Sequence, residues 1–229
     1  MIEKIIRLLK NDPNYKWESP YSIRDLLLIS LHRFIQIIRG VFLKLFLKKS
    51  RGLLFIGKNV SVKHSYLLSA GKNLILEDNV YINALSFNGI KIGDQVSIAR
   101  DSILICTGII SHKGTGITIG DRTGINARAY LAGQGGISIG DDVIIGPNVQ
   151  IFSENHDFSD LEIKIKNQGF SRQAVTIGNN CWLGSNVIIL AGVTIGDGCV
   201  IAAGSVVTKS MPQNTIIAGV PAKVIKSRS

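Results

Sequence analysis

The chain has 229 residues and carries 26 Lys and Arg against 16 Asp and Glu, a formal charge of +10. Its three cysteines, Cys106, Cys181 and Cys199, include no CxxC pair, which excludes a disulfide framework and a zinc knuckle and makes cytosolic residence the natural reading. Residues 1–52 hold eleven of the basic residues against four acids, yet no recognition motif or aromatic platform accompanies that charge, so no nucleic-acid partner is expected.

Between Tyr21 and Lys49 the spacing predicts a helix. Leu26, Leu27, Ile29, Leu31, Phe34, Ile35, Ile37, Ile38, Val41, Phe42, Leu45 and Phe46 are interleaved with Arg24, Arg33, Arg39 and Lys44. Charge interrupts it too often for a comfortable membrane span, and no signal-peptide cleavage pattern follows. Two readings stay open for this basic segment, 1–52. In one, the apolar face of Leu27, Leu31, Phe34, Ile38 and Phe42 is buried against the rest of the protein or another subunit. In the other, the helix makes peripheral contact with an anionic membrane on its cytoplasmic side. Charge punctuates both ends of the stretch without forming one continuous polar face, which favours packing.

Beyond residue 52 an aliphatic residue tends to return every sixth position. The pattern is weak at Ile56, Val62 and Leu68 and at Leu76 and Ile82. It sharpens at Ile92, Ile98 and Leu104, at Ile119, Ile125 and Leu131, and at Ile139, Ile145 and Ile151, and then runs unbroken through Ile177, Leu183, Ile189, Ile195, Ile201 and Val207. A period of six fits neither a helix nor an ordinary strand, but it fits a chain that runs straight, turns a corner and repeats. Three sides make an 18-residue coil, and the whole predicts an all-β solenoid, a parallel β-helix of about seven coils. The residue two before each of the last six is small or mid-sized (Val175, Cys181, Val187, Val193, Cys199, Ser205), which gives each side two inward positions. The residue after is often Gly or Ala, as at Gly178, Gly184 and Gly196, and is placed at the corner. Cys181 and Cys199, 18 apart, should stack in the core. The solenoid is expected over 53–211, with 212–229 as a tail. Residues 105–118 and 152–176 break the period and must leave it as loops, where binding chemistry commonly gathers.

The run VTIGNNCWLGSNVIILAGVTIGDGCVIAAGSVVTKSMPQNTIIAGVPAKVIK, from Val175 to Lys226, resembles the hexapeptide-repeat acyltransferases. Within that family it is similar to the maltose, galactoside and nodulation-sugar O-acetyltransferases. The resemblance covers about residues 90–226. It implies that the solenoid is left-handed, that the protein is a homotrimer with active sites between subunits, and that acetyl-CoA is the donor.

In SENHDFSD, at the start of the long interruption, position alone leaves His156 open between a loop histidine and a catalytic one. Attack of a hydroxyl on a thioester needs its proton removed, a task suited to imidazole. The family's catalytic histidine occupies this place, so the resemblance makes His156 the general base. Asp157 ranks first among Asp157, Asp160, Asn155 and Glu154 for orienting the ring. The resemblance also places Trp182 by the thioester and the Ser185 amide on its oxygen. It sets Ala203 and Gly204 along the pantetheine arm, Thr208 and Lys209 by the adenine and phosphates, and Lys223 and Lys226 near the 3′-phosphate. Arg128 and Tyr130 are expected to face the His156 cleft and contact the acceptor, and Asn126 beside them is either a third contact or a corner residue.

His112, in SHKGTG, reads as an exposed loop residue, and His64 and His32 as structural or exposed. Four widely separated histidines do not suit a zinc site, and no metal is expected. The function expected is transfer of acetyl to a sugar hydroxyl in surface-polysaccharide biosynthesis. An antibiotic acetyltransferase of the virginiamycin type, a sugar N-acetyltransferase and a non-catalytic binding solenoid are the alternatives.

Overall fold

The structure, a computed structural model, describes residue 7 and residues 12–14, 21–109 and 111–228. Most of the 1–52 segment before Tyr21 lies outside them. By internal contacts the chain divides into two units, Met1–Ile35 and Gln36–Ser229.

The second unit is a parallel β-helix with three faces. Face A runs through Lys49–Ser50, Leu68–Ala70, Ile90–Ile92, Ile117–Ile119, Ile137–Ile139, Val175–Ile177 and Thr194–Ile195. Face B starts at Leu54–Ile56 and face C at Ser61–Lys63, and the chain visits A, B and C in that order through seven coils. Equivalent residues stack in register. On face C, Val62, Ile82, Leu104, Leu131, Ile151, Ile189 and Val207 form one ladder. On face B the ladder is Ile56, Leu76, Ile98, Ile125, Ile145, Leu183, Ile201 and Ile217. All but Val62 are buried, so the hexad positions read from the sequence are the core.

Two details differ from the sequence reading. Leu68 is the earlier inward residue of its strand, paired with Ile90, and Ala70 takes the ladder place beside Ile92. The phase slips there because a short 3-10 turn, Ser65–Leu67, lengthens the corner. The left-handed turns also lie further along than the Gly or Ala that follows the ladder residue. Between faces B and C they fall on Asn59, Asn79, Asp101, Arg128, Asn148, Asn186 and Gly204, all with positive φ. Asn and Gly tolerate that conformation best, and Asn59 Nδ2 donates to Asn79 Oδ1 (3.2 Å), whose own amide donates to Asp101 Oδ1 (2.9 Å).

Every interruption leaves at the corner between face C and face A. Regular strands stop at Ile105 and resume at Ile117, and stop at Phe152 and resume at Val175. At the far end, the segment expected as a tail supplies two more strands. Thr215–Gly219 continues face B in parallel, and Ala222–Ser227 folds back antiparallel on it.

The helix Ile23–Lys44 begins with a capping box: Ser22 Oγ donates to Asp25 Oδ2 (2.7 Å), and the Asp25 amide donates to Ser22 Oγ (3.2 Å). Ser22 thereby holds the Asp25 carboxyl below its ordinary range. From Gln36 onward the helix docks on the first coils. Gln36 Nε2 donates to Glu77 Oε2 (3.2 Å) and Lys44 Nζ to the Gly52 carbonyl (3.0 Å), while Leu43 and Leu47 pack against the core. Gly40 permits the approach, since a Cβ there would collide with the Leu54 carbonyl oxygen. The face expected to be buried is not covered by the chain itself: Leu27, Leu31, Phe34, Ile38 and Phe42 are all exposed, and the buried positions are Gln36 and Gly40.

Ile195, 1% exposed, stacks on Ile177 and bridges to Met211. Ile195→Ala is expected to cost about 2–5 kcal/mol, through lost transfer energy and the cavity left behind, as read from urea unfolding. All three cysteines are buried, and burial pushes the Cys106 thiol up to about 12 and the Cys181 thiol up to about 11. Burial keeps all three thiols from the reagent, and the raised Cys106 and Cys181 thiols also stay protonated, so iodoacetamide near pH 8 should leave the native protein unmodified and alkylate all three thiols once it is unfolded.

Candidate active site

His156 ends the strand Glu154–His156, which pairs antiparallel with Phe170–Arg172 so that His156 lies opposite Phe170. The hairpin leaves the C-to-A corner and is fixed at its base by Ser153. The Ser153 hydroxyl donates to the Ala132 carbonyl (2.6 Å) and accepts from the Gly135 amide (2.8 Å), and its carbonyl accepts from the Gln173 amide (3.0 Å). Sequence reasoning passed over Ser153 because one serine in a polar stretch carries no periodic signal.

Arg172 joins this hairpin to the shorter insertion. Its Nε donates to Glu154 Oε2 (2.8 Å), and its two terminal nitrogens donate to the Lys113 carbonyl (2.9 Å) and the His112 carbonyl (3.0 Å). The His112 ring stands edge-on to Phe170, with centroids 4.9 Å apart, and Ser111 Oγ lies 2.9 Å from its Nδ1. His112 is thus solvent-exposed, as expected, and also built into the wall beside the His156 hairpin. A third loop joins from below, where the Phe87 and Asn88 amides donate to the Gly114 and Thr115 carbonyls.

The groups considered for orienting His156 separate cleanly. Glu154 is committed to Arg172, and the Asp160 carboxylate accepts from the Glu162 amide (2.9 Å). The Asp157 amide donates to the Gly169 carbonyl (3.2 Å). Among the described residues no hydrogen bond joins the Asp157 carboxylate to the His156 ring, which is exposed.

A cleft of about 440 Å³ opens on face B and its corner with face C. Trp182, 54% exposed, forms one wall, stacked between Ile144 and Val200 on the outside of the coil. Ser185 and Ala203 lie at the corner, and among the described residues neither backbone amide has a hydrogen-bond partner. Two adjacent coils therefore offer donors to one groove. Gly204, next along, faces open space. Lys223 and Lys226, opposite Ala218 and Ile216, lie on the final hairpin of the same face. Thr208 and Lys209 follow the last strand of face C and lie on its other edge, at the corner that carries the His156 hairpin.

The residues expected on the acceptor side are not at that corner. Asn126 lines the Trp182 cleft, with its Nδ2 donating to the Ile145 carbonyl (3.0 Å). Arg128 holds the left-handed position of the B-to-C turn at φ 61°, and Tyr130 points outward on face C against Phe152, with centroids 5.8 Å apart. One coil spans all three faces, so proximity in sequence does not mean the same cleft.

Residues 174–209 match the family described as bacterial transferase hexapeptide (six repeats), and residues 116–153 match the hexapeptide repeat of succinyl-transferase. The chain is 43% identical over 113 residues to galactoside O-acetyltransferase of Escherichia coli, covering 49% of this chain and 55% of that protein. It is 39% identical over 135 residues to a Saccharomyces cerevisiae protein assigned as an acetyltransferase, covering 59% of this chain and 68% of that one. The chain spans about half the length of several curated relatives it matches. Among solved structures it is similar to a variant of AntD, an N-acyltransferase from Bacillus cereus crystallised with dTDP-4-amino-4,6-dideoxyglucose and coenzyme A. The TM-score is 0.55 at 20% identity, covering 83% of this chain and 89% of that one, a likeness of fold. The seven stacked coils, the loops gathered at one corner and these matches agree: the chain belongs to the hexapeptide-repeat transferase family, and its solenoid is a left-handed parallel β-helix.

Proposed function

We propose that the protein transfers an acetyl group from acetyl-CoA to a sugar hydroxyl, with His156 as general base. The observation that carries this reading is the groove beside Trp182, where the unpartnered amides of Ser185 and Ala203 lie on adjacent coils. A thioester fits such a groove, and the Ser185 N–H suits the oxyanion that forms on its carbonyl oxygen. The acceptor oxygen attacks the carbonyl carbon while His156 takes its proton. Collapse of the tetrahedral intermediate then breaks the carbon–sulfur bond, and the imidazolium returns the proton to the departing thiolate. Asp157 is the neighbouring carboxylate left to orient the ring. Ala203 and Gly204 line the path of the pantetheine arm. Lys223 and Lys226, on the groove's own face, meet the nucleotide end as point charges, and Thr208 and Lys209, at the His156 corner, reach it from a neighbouring copy.

His156 and the groove lie at the two corners that bound face C, so within one chain they are separated by that face. We infer that the working unit is a homotrimer in which the histidine of one copy serves the groove of the next. The outward residues of face C support this: Tyr81, Ile103, Tyr130, Gln150, Ile188 and Val206 form a half-buried column in which Gln150 is the one strongly polar member. On face A the corresponding positions are Lys91, Thr118, Ser138, Thr176 and Thr194, all exposed. The sugar acceptor rests on the galactoside O-acetyltransferase likeness, and a role in surface-glycan synthesis in the cytoplasm extends it.

Release of CoA in the presence of a panel of sugars, glycosides and amino sugars tests the acceptor class. With the best acceptor, His156→Ala should lower kcat by roughly 10²- to 10⁴-fold and leave acetyl-CoA binding nearly intact. Unchanged turnover removes His156 from the chemistry. Arg172→Ala should act differently, because it frees the hairpin without removing the base. We expect amide exchange at 154–156 and 170–172 to rise by about tenfold or more, the worth of hydrogen bonds to a charged group. A fall in kcat should accompany it, with partial rescue by Arg172→Lys.

A further inference from the structure

The helix Ile23–Lys44 exposes what a self-contained protein would bury. With successive residues about 100° apart, Ile23, Leu27, Phe34, Ile38, Val41 and Leu45 fall within an arc of roughly 60°, and they are 80%, 66%, 60%, 43%, 58% and 76% exposed. Leu31 and Phe42 extend the same side. The opposite edge is the one docked on the β-helix through Gln36 and Gly40. Counted the same way, Arg24 falls at the Phe42 edge of this side and Arg39 about 60° beyond it, while Arg33 and Lys44 fall about 60–80° beyond the other edge. The charges that look scattered in linear sequence therefore flank a continuous apolar face. Asp25 is the single acid between Tyr21 and Arg51, set against seven basic residues, and Ser22 holds it in the cap.

We propose that this face lies in the headgroup region of an anionic membrane, with Arg24 and Arg39 on the lipid phosphates. Charge complementarity selects the occupant. A second copy of the helix would bring the same excess of positive charge against itself, whereas an anionic leaflet gains with each basic residue near its surface. The helix passes by length and composition for a membrane span. However, from Gln36 onward it is fixed to the β-helix, and the thirteen residues Ile23–Ile35 reach only about 20 Å, short of a hydrocarbon core of about 30 Å. The edge docked along the β-helix through Gln36 and Gly40, with the apolar side turned away from it, favours an in-plane position.

Vesicle flotation of the full chain provides the test. Phosphatidylcholine vesicles with roughly 30% phosphatidylglycerol should recover the protein, and phosphatidylcholine alone should recover little. Binding should weaken near 1 M salt, where the Debye length is about 3 Å. The double variant Phe34→Glu, Phe42→Glu replaces two exposed side chains. It should keep the wild-type thermal midpoint while partitioning at least about tenfold less. Absence of recovery on anionic vesicles, or equal recovery of the double variant, overturns the proposal. So does a drop in sedimenting mass of the double variant in lipid-free buffer, which would assign the face to another copy of the chain.

Discussion

Everything in the β-helix depends on like stacking upon like in register. An aliphatic residue on one coil lies directly over its equivalents above and below, as Leu131 does between Leu104 and Ile151. Each such side chain contributes on the order of 1.5–3 kcal/mol of burial. Shifting a strand by one residue would turn that column outward. Insertions are therefore tolerated only where the column is not interrupted, and this chain places all of them at the C-to-A corner. One corner accumulates the loops, and with them the variable chemistry, while the B-to-C corner stays tight and keeps its row of left-handed Asn, Asp, Arg and Gly residues.

That division explains which parts of the molecule could be read from the sequence. The ladder is written plainly because each of its positions obeys one rule, burial in a narrow core, and repeats it. The slip at Leu68 escaped because a three-residue 3-10 turn shifts the phase by two without altering the residue types. Contacts between insertions were not legible at all. Arg172 reaches carbonyls 59 and 60 residues away, and no local pattern encodes such a partner. The position of Asn126 relative to His156 was hidden for a related reason: the two lie one coil apart in the sequence pattern, but half of each coil faces elsewhere. The polarity of the helix was hidden because Arg24, Arg33, Arg39 and Lys44 look evenly spread until each is turned by its helical angle.

Placing the proposed catalytic parts on separate corners has a physical merit. The proposed donor groove is walled by Trp182, Ile144 and Val200, with the Ser185 and Ala203 amides at its corner, all on rigid coils, which would suit a donor that is the same for every turnover. The histidine rides on a hairpin held by Ser153 at its base and Arg172 along its side, a firm support on a segment free to vary in length. Donor recognition can stay fixed while the acceptor side changes.

The two ends of the solenoid differ from its middle. Each interior strand is satisfied on both sides, but a terminal coil offers open N–H and C=O groups in the direction of the stack. At one end the docked stretch from Gln36 to Leu47 packs on the first coils, with Gly40 pressed against the Leu54 carbonyl. At the other, Ala222–Ser227 runs antiparallel to the last strand of face B. Reversing direction there makes the final edge a poor template for another parallel coil. Both closures act as terminators, and they restrain a structure with unlimited repeat symmetry from growing end to end into a fibre.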